Sequence, residues 1–134
     1  MVKATLGKQL MVTVNNKVGA LADISKLIAS AGINITAVCA YAINNKGFVM
    51  FVSGDNNKAK KILKDKKYDV REEEVIIVCV DNTPGTLQAV TQAIADAGID
   101  VTFIYGSAER SSRTSSLVLT CEDNNGALNL INMS

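Results

Sequence analysis

The sequence predicts an α+β protein made of two βαββαβ units, packed side by side, with antiparallel sheets and helices on one face. Three observations lead there. The chain repeats itself at a spacing of 66 residues. Apolar residues within each copy alternate at strand spacing and then recur at helical spacing. Turn-forming residues fall between those segments.

The repeat comes first, because self-similarity decides architecture. Residues 9–42 align without a gap on 75–108, with twelve identities in 34 positions. Val12 meets Val78, Val14 meets Val80, Asn16 meets Asn82, Gly19 meets Gly85, and Leu21 meets Leu87. Ile28-Ala29 meets Ile94-Ala95, and Ala31-Gly32-Ile33 meets Ala97-Gly98-Ile99. Thr36 then meets Thr102 and Ala42 meets Ala108. After a two-residue insertion in the second copy, Asp55-Asn56-Asn57 meets Asp123-Asn124-Asn125. The expected domains are therefore 1–70 and 71–134. A unit of this size buries only about 60% of its unfolded surface, so two gain by docking.

The elements follow in order. Gln9–Val14 is β-branched enough for a buried strand, and Asn15-Asn16-Lys17 is a polar loop. Leu21, Ile24, Leu27, Ile28 and Ala31 mark a helix, with Gly32 as its left-handed stop. Ile33–Ile43 and Gly47–Ser53 are strands joined through a hairpin at Asn44-Asn45-Lys46-Gly47. Ala59, Ile62 and Leu63 mark a second, short helix. Tyr68–Val70 leads through a short charged stretch, Arg71–Glu74, into the next strand, Glu74–Val80. This strand order is that of a ferredoxin-like split βαβ.

Composition excludes several functions. The 134 residues are 48% hydrophobic and 20% charged, with no histidine, no tryptophan and one proline, Pro84. Without histidine there is no Ser-His-Asp or Cys-His catalyst and no His-ligated metal site. No catalytic residue, metal site or cofactor is expected. No apolar run reaches membrane-spanning length and no signal-peptide core follows Met1. The net charge of +1 gives no argument for nucleic acid. Cys39, Cys79 and Cys121 are too far apart for a C-x-x-C motif; each reads as a small apolar thiol in a reducing cytoplasm. Glu72-Glu73-Glu74 and Glu109-Arg110 read as surface turns, and Arg110–Arg113 as an exposed hairpin. Of the six aromatics, Tyr41, Phe48 and Phe51 read as helix-to-sheet packing rather than an RNA-stacking platform.

The loop between the first strand and first helix of each unit is the candidate site. It reads Asn15-Asn16-Lys17-Val18-Gly19-Ala20-Leu21 in one copy and Asp81-Asn82-Thr83-Pro84-Gly85-Thr86-Leu87 in the other. In the second copy Thr83 is expected to cap the helix, Pro84 to take its first position and Gly85 its second. A helix N-terminus offers free N–H groups and partial positive charge to a carboxylate. Asp81 and Asn82 offer oxygens to an ammonium. Together these suit a free α-amino acid.

Two units that each carry Asx-x-x-x-Gly-x-Leu after strand one, and Ala-Gly-Ile-Asx before strand two, resemble tandem ACT domains. The likeness covers nearly the whole chain. It implies a small-molecule-binding regulatory protein, with a free amino acid or similar metabolite as ligand and a metabolic enzyme as partner. It also implies a homodimer and a ligand at the inter-domain interface, where a loop of one domain meets strand two of its neighbour. Carried over, the loop residues are Asn15, Asn16, Val18, Gly19, Ala20 and Leu21, or Asp81, Asn82, Pro84, Gly85, Thr86 and Leu87. The strand residues are Asn34, Ile35, Thr36 and Ala37, or Asp100, Val101, Thr102 and Phe103. Asp81 and the preorganised Pro84 make the second loop the expected better binder. The alternative is a ligand-free assembly module beside a metabolic enzyme.

Two features depart from this pattern. The second unit has no strand after its last helix, near Asn125–Asn132; shifted by 66, Val2–Leu6 stands where Tyr68–Glu72 does. Residues 2–6 are therefore expected to supply that edge, within the chain or in a dimer partner; the alternative is that the last strand is missing and the edge exposed. Residues 1–67 also carry eleven Lys/Arg against three Asp/Glu, and residues 68–134 three against ten. The run Lys58 to Lys67 reads as a solvated helix face; the alternative is that the opposed halves attract one another, within the chain or head to tail between chains.

Overall fold

The computed structural model describes residues 2–133. The elements are β1 (Val2–Asn15), α1 (Ala20–Ser30), β2 (Ile35–Ile43), β3 (Lys46–Ser53), α2 (Asn56–Asp65), β4 (Asp69–Asp81), α3 (Thr86–Asp96), β5 (Val101–Ser107), β6 (Thr114–Cys121) and α4 (Asn124–Met133). The repeated β-α-β-β-α order is the ferredoxin-like pair that the hydrophobic periodicity predicts.

The chain divides into two compact units. The first is Lys8–Glu73; the second combines residues 2–7 with 74–133. In the first, strands lie in the order β2-β3-β1-β4. Leu10 faces Phe51 and Val12 faces Val49, while Val38 and Ala40 flank the other side of β3. Leu10, Val12, Val49 and Phe51 share one face of the pleat. They bury against Ile24 and Ile28 of α1 and Ala59 and Leu63 of α2. In the second unit the order is β1-β4-β6-β5. Ile76, Val78, Leu117 and Leu119 bury against Val90 and Ile94 of α3 and Ala127 and Ile131 of α4. The buried helix pairs Ile24/Ile28 and Val90/Ile94 stand 66 residues apart, as the repeat requires.

Residues 2–7 lie with the second unit. Ala4 is 4% exposed in that unit's core, with Val2 packed beside it. Gly7 lets the Ile77 side chain cross β1: a Cβ at Gly7 would lie 2.7 Å from Ile77 Cδ1.

Three local readings change. Glu72-Glu73-Glu74 is not a surface turn, because the charged stretch Arg71–Glu74 runs inside β4. Its charged residues are mostly exposed, while Glu73 is half-buried and accepts from Gln9 Nε2 at 3.3 Å. A strand satisfies its backbone in the ladder, so polar side chains on one face do not break it. The first hairpin turn is only Asn44-Asn45, with Lys46 paired to Ile43. Asn44 takes the left-handed conformation (φ 55°), which asparagine tolerates better than most residues. Finally, α3 does not start at Thr83. Gly85 is its N-cap at φ 91°, matching Gly19 at φ 89° before α1. Thr86 N–H donates to Thr83 O at 3.4 Å, and Ala20 N–H to Lys17 O at 3.3 Å. Each is a type II turn, whose third position needs positive φ and therefore favours glycine. Pro84 fits the second position of that turn, where its fixed φ is already correct.

The helix ends match expectation. Gly32 and Gly98 are left-handed, at φ 72° and 73°. Gly32 N–H bonds Ala29 O and Ile33 N–H bonds Ile28 O, the paired pattern of a Schellman stop. Asp55 and Asp123 cap α2 and α4 by accepting from Lys58 N–H and Gly126 N–H. Asn56 and Asn124 beside them form equivalent clamps. Their Oδ1 atoms accept from the N–H of Ser53 and Cys121, and their Nδ2 atoms donate to the carbonyls of Lys8 and Glu74.

Candidate ligand-binding site

In the first unit the β1–α1 loop opens onto a cleft of about 450 Å³. That volume suits a small organic ligand. Asn16, Lys17, Gly19, Ala20 and Leu21 form one wall, and Tyr41 and Phe48 the other. The two rings stack with centroids 5.2 Å apart and planes 30° apart. Tyr41 and Phe48 face each other in the β2–β3 register, so the tight hairpin fixes their pairing. Tyr41 is 44% exposed, whereas Phe51 is fully buried. Only Phe51 is therefore the core packing residue that all three were expected to be.

The floor of the cleft is the start of α1. Gly19 caps that helix without a side-chain hydrogen bond. The Ala20 N–H is already taken by Lys17 O, so the Leu21 and Ala22 amides and the helix's partial positive charge face whatever enters. Asn16 is fixed by its backbone, its N–H donating to Asn45 O at 2.8 Å. The hairpin tip thus holds the loop open against β3.

The remaining predicted residues are distributed unevenly. Asn15 faces elsewhere, its Oδ1 accepting from Lys46 Nζ at 3.3 Å. Val18 projects fully into solvent. Asn34, Ile35, Thr36 and Ala37 lie at the opposite end of β2, where Ile35 pairs with Ser53. Asn34 O accepts from Gly54 N–H there, and Thr36 Oγ1 donates to Val52 O. Within the unit they do not meet the loop.

The second unit's loop has the same backbone but different side chains. Asn82 is committed to the β5–β6 hairpin: its N–H donates to Arg113 O, and its Nδ2 to Glu109 O and Ser112 O. Asp81, at the end of β4, pairs with Thr114. Pro84 and Gly85 make the turn, Thr86 Oγ1 donates to Thr83 O, and Leu87 is 53% exposed. Asp100 O accepts from Glu122 N–H, and Val101 packs against the core. Thr102 Oγ1 lies 2.7 Å from Thr120 Oγ1, and Phe103 contacts Tyr105 at 5.4 Å.

Sequence reasoning missed the cleft's far wall: Ala40, Tyr41, Ala42, Gly47 and Phe48. The available signal was two aromatics equidistant from an Asn-Asn hairpin tip. Elsewhere in the second unit, burial, then Asp100 and Asp123, hold the Cys121 thiol above the ordinary range. No cluster of three or more His, Cys, Asp or Glu able to hold a metal occurs among the described residues.

Fold and cleft together define a paired ferredoxin-like module with a cleft of small-molecule size. The profile of the ACT domain pair matches residues 5–131, and the chain belongs to that family. Solved structures agree. Protein BT0572 from Bacteroides thetaiotaomicron superposes with a TM-score of 0.90 at 25% identity, over 97% of this chain and 89% of its own. The ligand-free regulatory subunit of aspartate kinase from Thermus thermophilus gives 0.68 at 16%, over 97% and 95%. Aspartate kinase from Clostridium acetobutylicum gives 0.62 at 13%, over 97% of this chain and 33% of that enzyme. At such identities the last two show the fold alone. A search of curated proteins returned no match.

Proposed function

We propose that this protein senses a free amino acid in the first unit's cleft and acts as a regulatory partner of a separate metabolic enzyme, without chemistry of its own. The carrying observation is the uncapped start of α1 opening onto a cleft walled by Tyr41 and Phe48. An amino acid's carboxylate takes the first-turn amides and the Lys17 ammonium; Asn16 Oδ1 accepts from its ammonium. An apolar side chain lies on the aromatic wall. The likeness to the Thermus thermophilus protein, a regulatory subunit of aspartate kinase, supports an amino-acid pathway and an enzyme partner. A homodimer in the cytoplasm is part of the same reading.

A thermal-shift screen of the free amino acids tests it. A ligand at ~100 times its dissociation constant adds about 2.7 kcal/mol to stability, so a true ligand raises Tm by several degrees. Tyr41→Ala, which empties an exposed wall, abolishes that rise while leaving the unliganded Tm nearly unchanged. No response to any amino acid by the parent chain overturns the reading.

A further inference from the structure

A second cleft of about 390 Å³ lies on the other side of the same loop, within the first unit. Lys17, Lys46 and Lys67 line it, from the β1–α1 loop, the start of β3 and the end of α2. Asn15, Tyr68 and Asp69 lie on its rim. We propose that this cleft binds a small multivalent anion, of the class carrying a phosphate ester or several carboxylates.

Charge is the first argument. Three lysines line one small cavity with a single acidic residue, Asp69, among its lining residues. Among the described residues none of the three lysines forms an ion pair; Lys46 reaches only the neutral Asn15 Oδ1, at 3.3 Å. Clustered cations repel one another, and a multivalent anion relieves all three at once through charge-assisted hydrogen bonds. Ala20, the first residue of α1, also lines the cleft and adds the helix's positive end.

The repeat supplies the second argument. The second unit has the same loop but not this chemistry. Asp81 replaces Asn15, Thr83 replaces Lys17, and Thr114, the register partner of Asp81, stands where Lys46 pairs with Asn15. The backbone scaffold alone therefore does not require the lysines. Lys67 is notable because it is left-handed at φ 69°. It stands just past α2, where α1 and α3 have Gly32 and Gly98. A glycine would serve the helix stop better, but only a lysine brings an ammonium to the cleft.

The cleft shares Lys17 and Ala20 with the amino-acid cleft, but Lys46 and Lys67 line this one alone, so variants at those two lysines separate the readings. Inorganic pyrophosphate and citrate are titrated calorimetrically into the full chain at 150 mM chloride. At least one is expected to bind saturably at one site per chain; pyrophosphate alone indicates a phosphate ester, and citrate a polycarboxylate. Lys46→Ala and Lys67→Gly should each weaken that binding at least tenfold. Lys67→Gly keeps the helix stop intact, so misfolding cannot explain the loss. Lys61→Ala, on the exposed side of α2, should change nothing. Absence of saturable binding by either anion, or an equal loss in Lys61→Ala, overturns the proposal. Amino-acid binding should survive Lys67→Gly; if it is absent throughout while pyrophosphate binds, only the earlier reading fails.

Discussion

Asn132 holds the backbone of Ala4 from both sides: its Oδ1 accepts from the Ala4 N–H at 2.8 Å, and its Nδ2 donates to the Ala4 carbonyl at 2.9 Å. The two residues are 128 positions apart and join the last helix to the first strand. This clamp ties residues 2–7 to α4 of the second unit. Each hydrogen bond contributes roughly 1 kcal/mol, and more where a buried backbone group would lose its partner. Asn132→Ala should therefore lower unfolding free energy by about 2 kcal/mol, read from urea denaturation. Asn129→Ala, exposed on the same helix, should stay within about 0.5 kcal/mol. Equal effects would mean that the clamp contributes nothing.

Gly106 in β5 should not tolerate a side chain. A Cβ there would stand 2.6 Å from both the Ser116 carbonyl oxygen and Leu117 Cδ2. The leucine can rotate away, but the carbonyl belongs to the β6 ladder and cannot. Gly106→Ala should cost about 1–3 kcal/mol, measured as a drop in urea midpoint. Gly54→Ala, where the nearest atom is a carbonyl oxygen at 4.0 Å, is the tolerated control.

Lys67→Gly should leave the fold intact and raise its stability. A left-handed L-residue costs roughly 1–2 kcal/mol, partly offset by the ~0.5–1 kcal/mol that glycine loses in chain entropy. A gain near 0.5 kcal/mol is expected in urea unfolding. Lys67→Ala keeps the left-handed conformation and should show no such gain.

Cys121 should be the slowest of the three cysteines to alkylate. Its thiol is pushed up by burial and by the nearby Asp100 and Asp123 carboxylates, so little thiolate forms at neutral pH. The linkage has a definite sign. Above the ordinary thiol range the unfolded chain releases this proton more readily than the folded one. The stability contribution is thus complete below the unfolded value and is lost as pH rises through the raised folded value. Iodoacetamide labelling followed by peptide mass analysis, from neutral pH upward, would show Cys121 lagging. Equal rates for Cys121 and half-exposed Cys39 would contradict this.

Much was legible along the chain. Helix stripes such as Ile24/Ile28 and Val90/Ile94 report burial directly, because a helix must hide one face. Gly32 and Gly98 announced helix stops, since few residues accept their conformation. The loop misled where two grammars overlap. Thr83-Pro84-Gly85 satisfies both a helix start and a type II turn, and the glycine's positive φ selects the turn. Glu72–Glu74 misled because charge usually marks a loop, whereas a ladder accepts charged residues wherever one strand face is open.

The sequence alone determined the repeat, the order of elements and the loops worth mutating, because these depend on local periodicity and backbone preference. Tertiary structure decided what sits opposite each loop. It paired Tyr41 with Phe48 across a hairpin, brought Lys17, Lys46 and Lys67 around one cleft, and joined Asn132 to Ala4. It also divided the charge differently: Lys8–Glu73 holds eleven Lys/Arg against six Asp/Glu, so the contrast between units is milder than between chain halves. Such neighbours come from strand register and packing between residues far apart in sequence, which no local window contains.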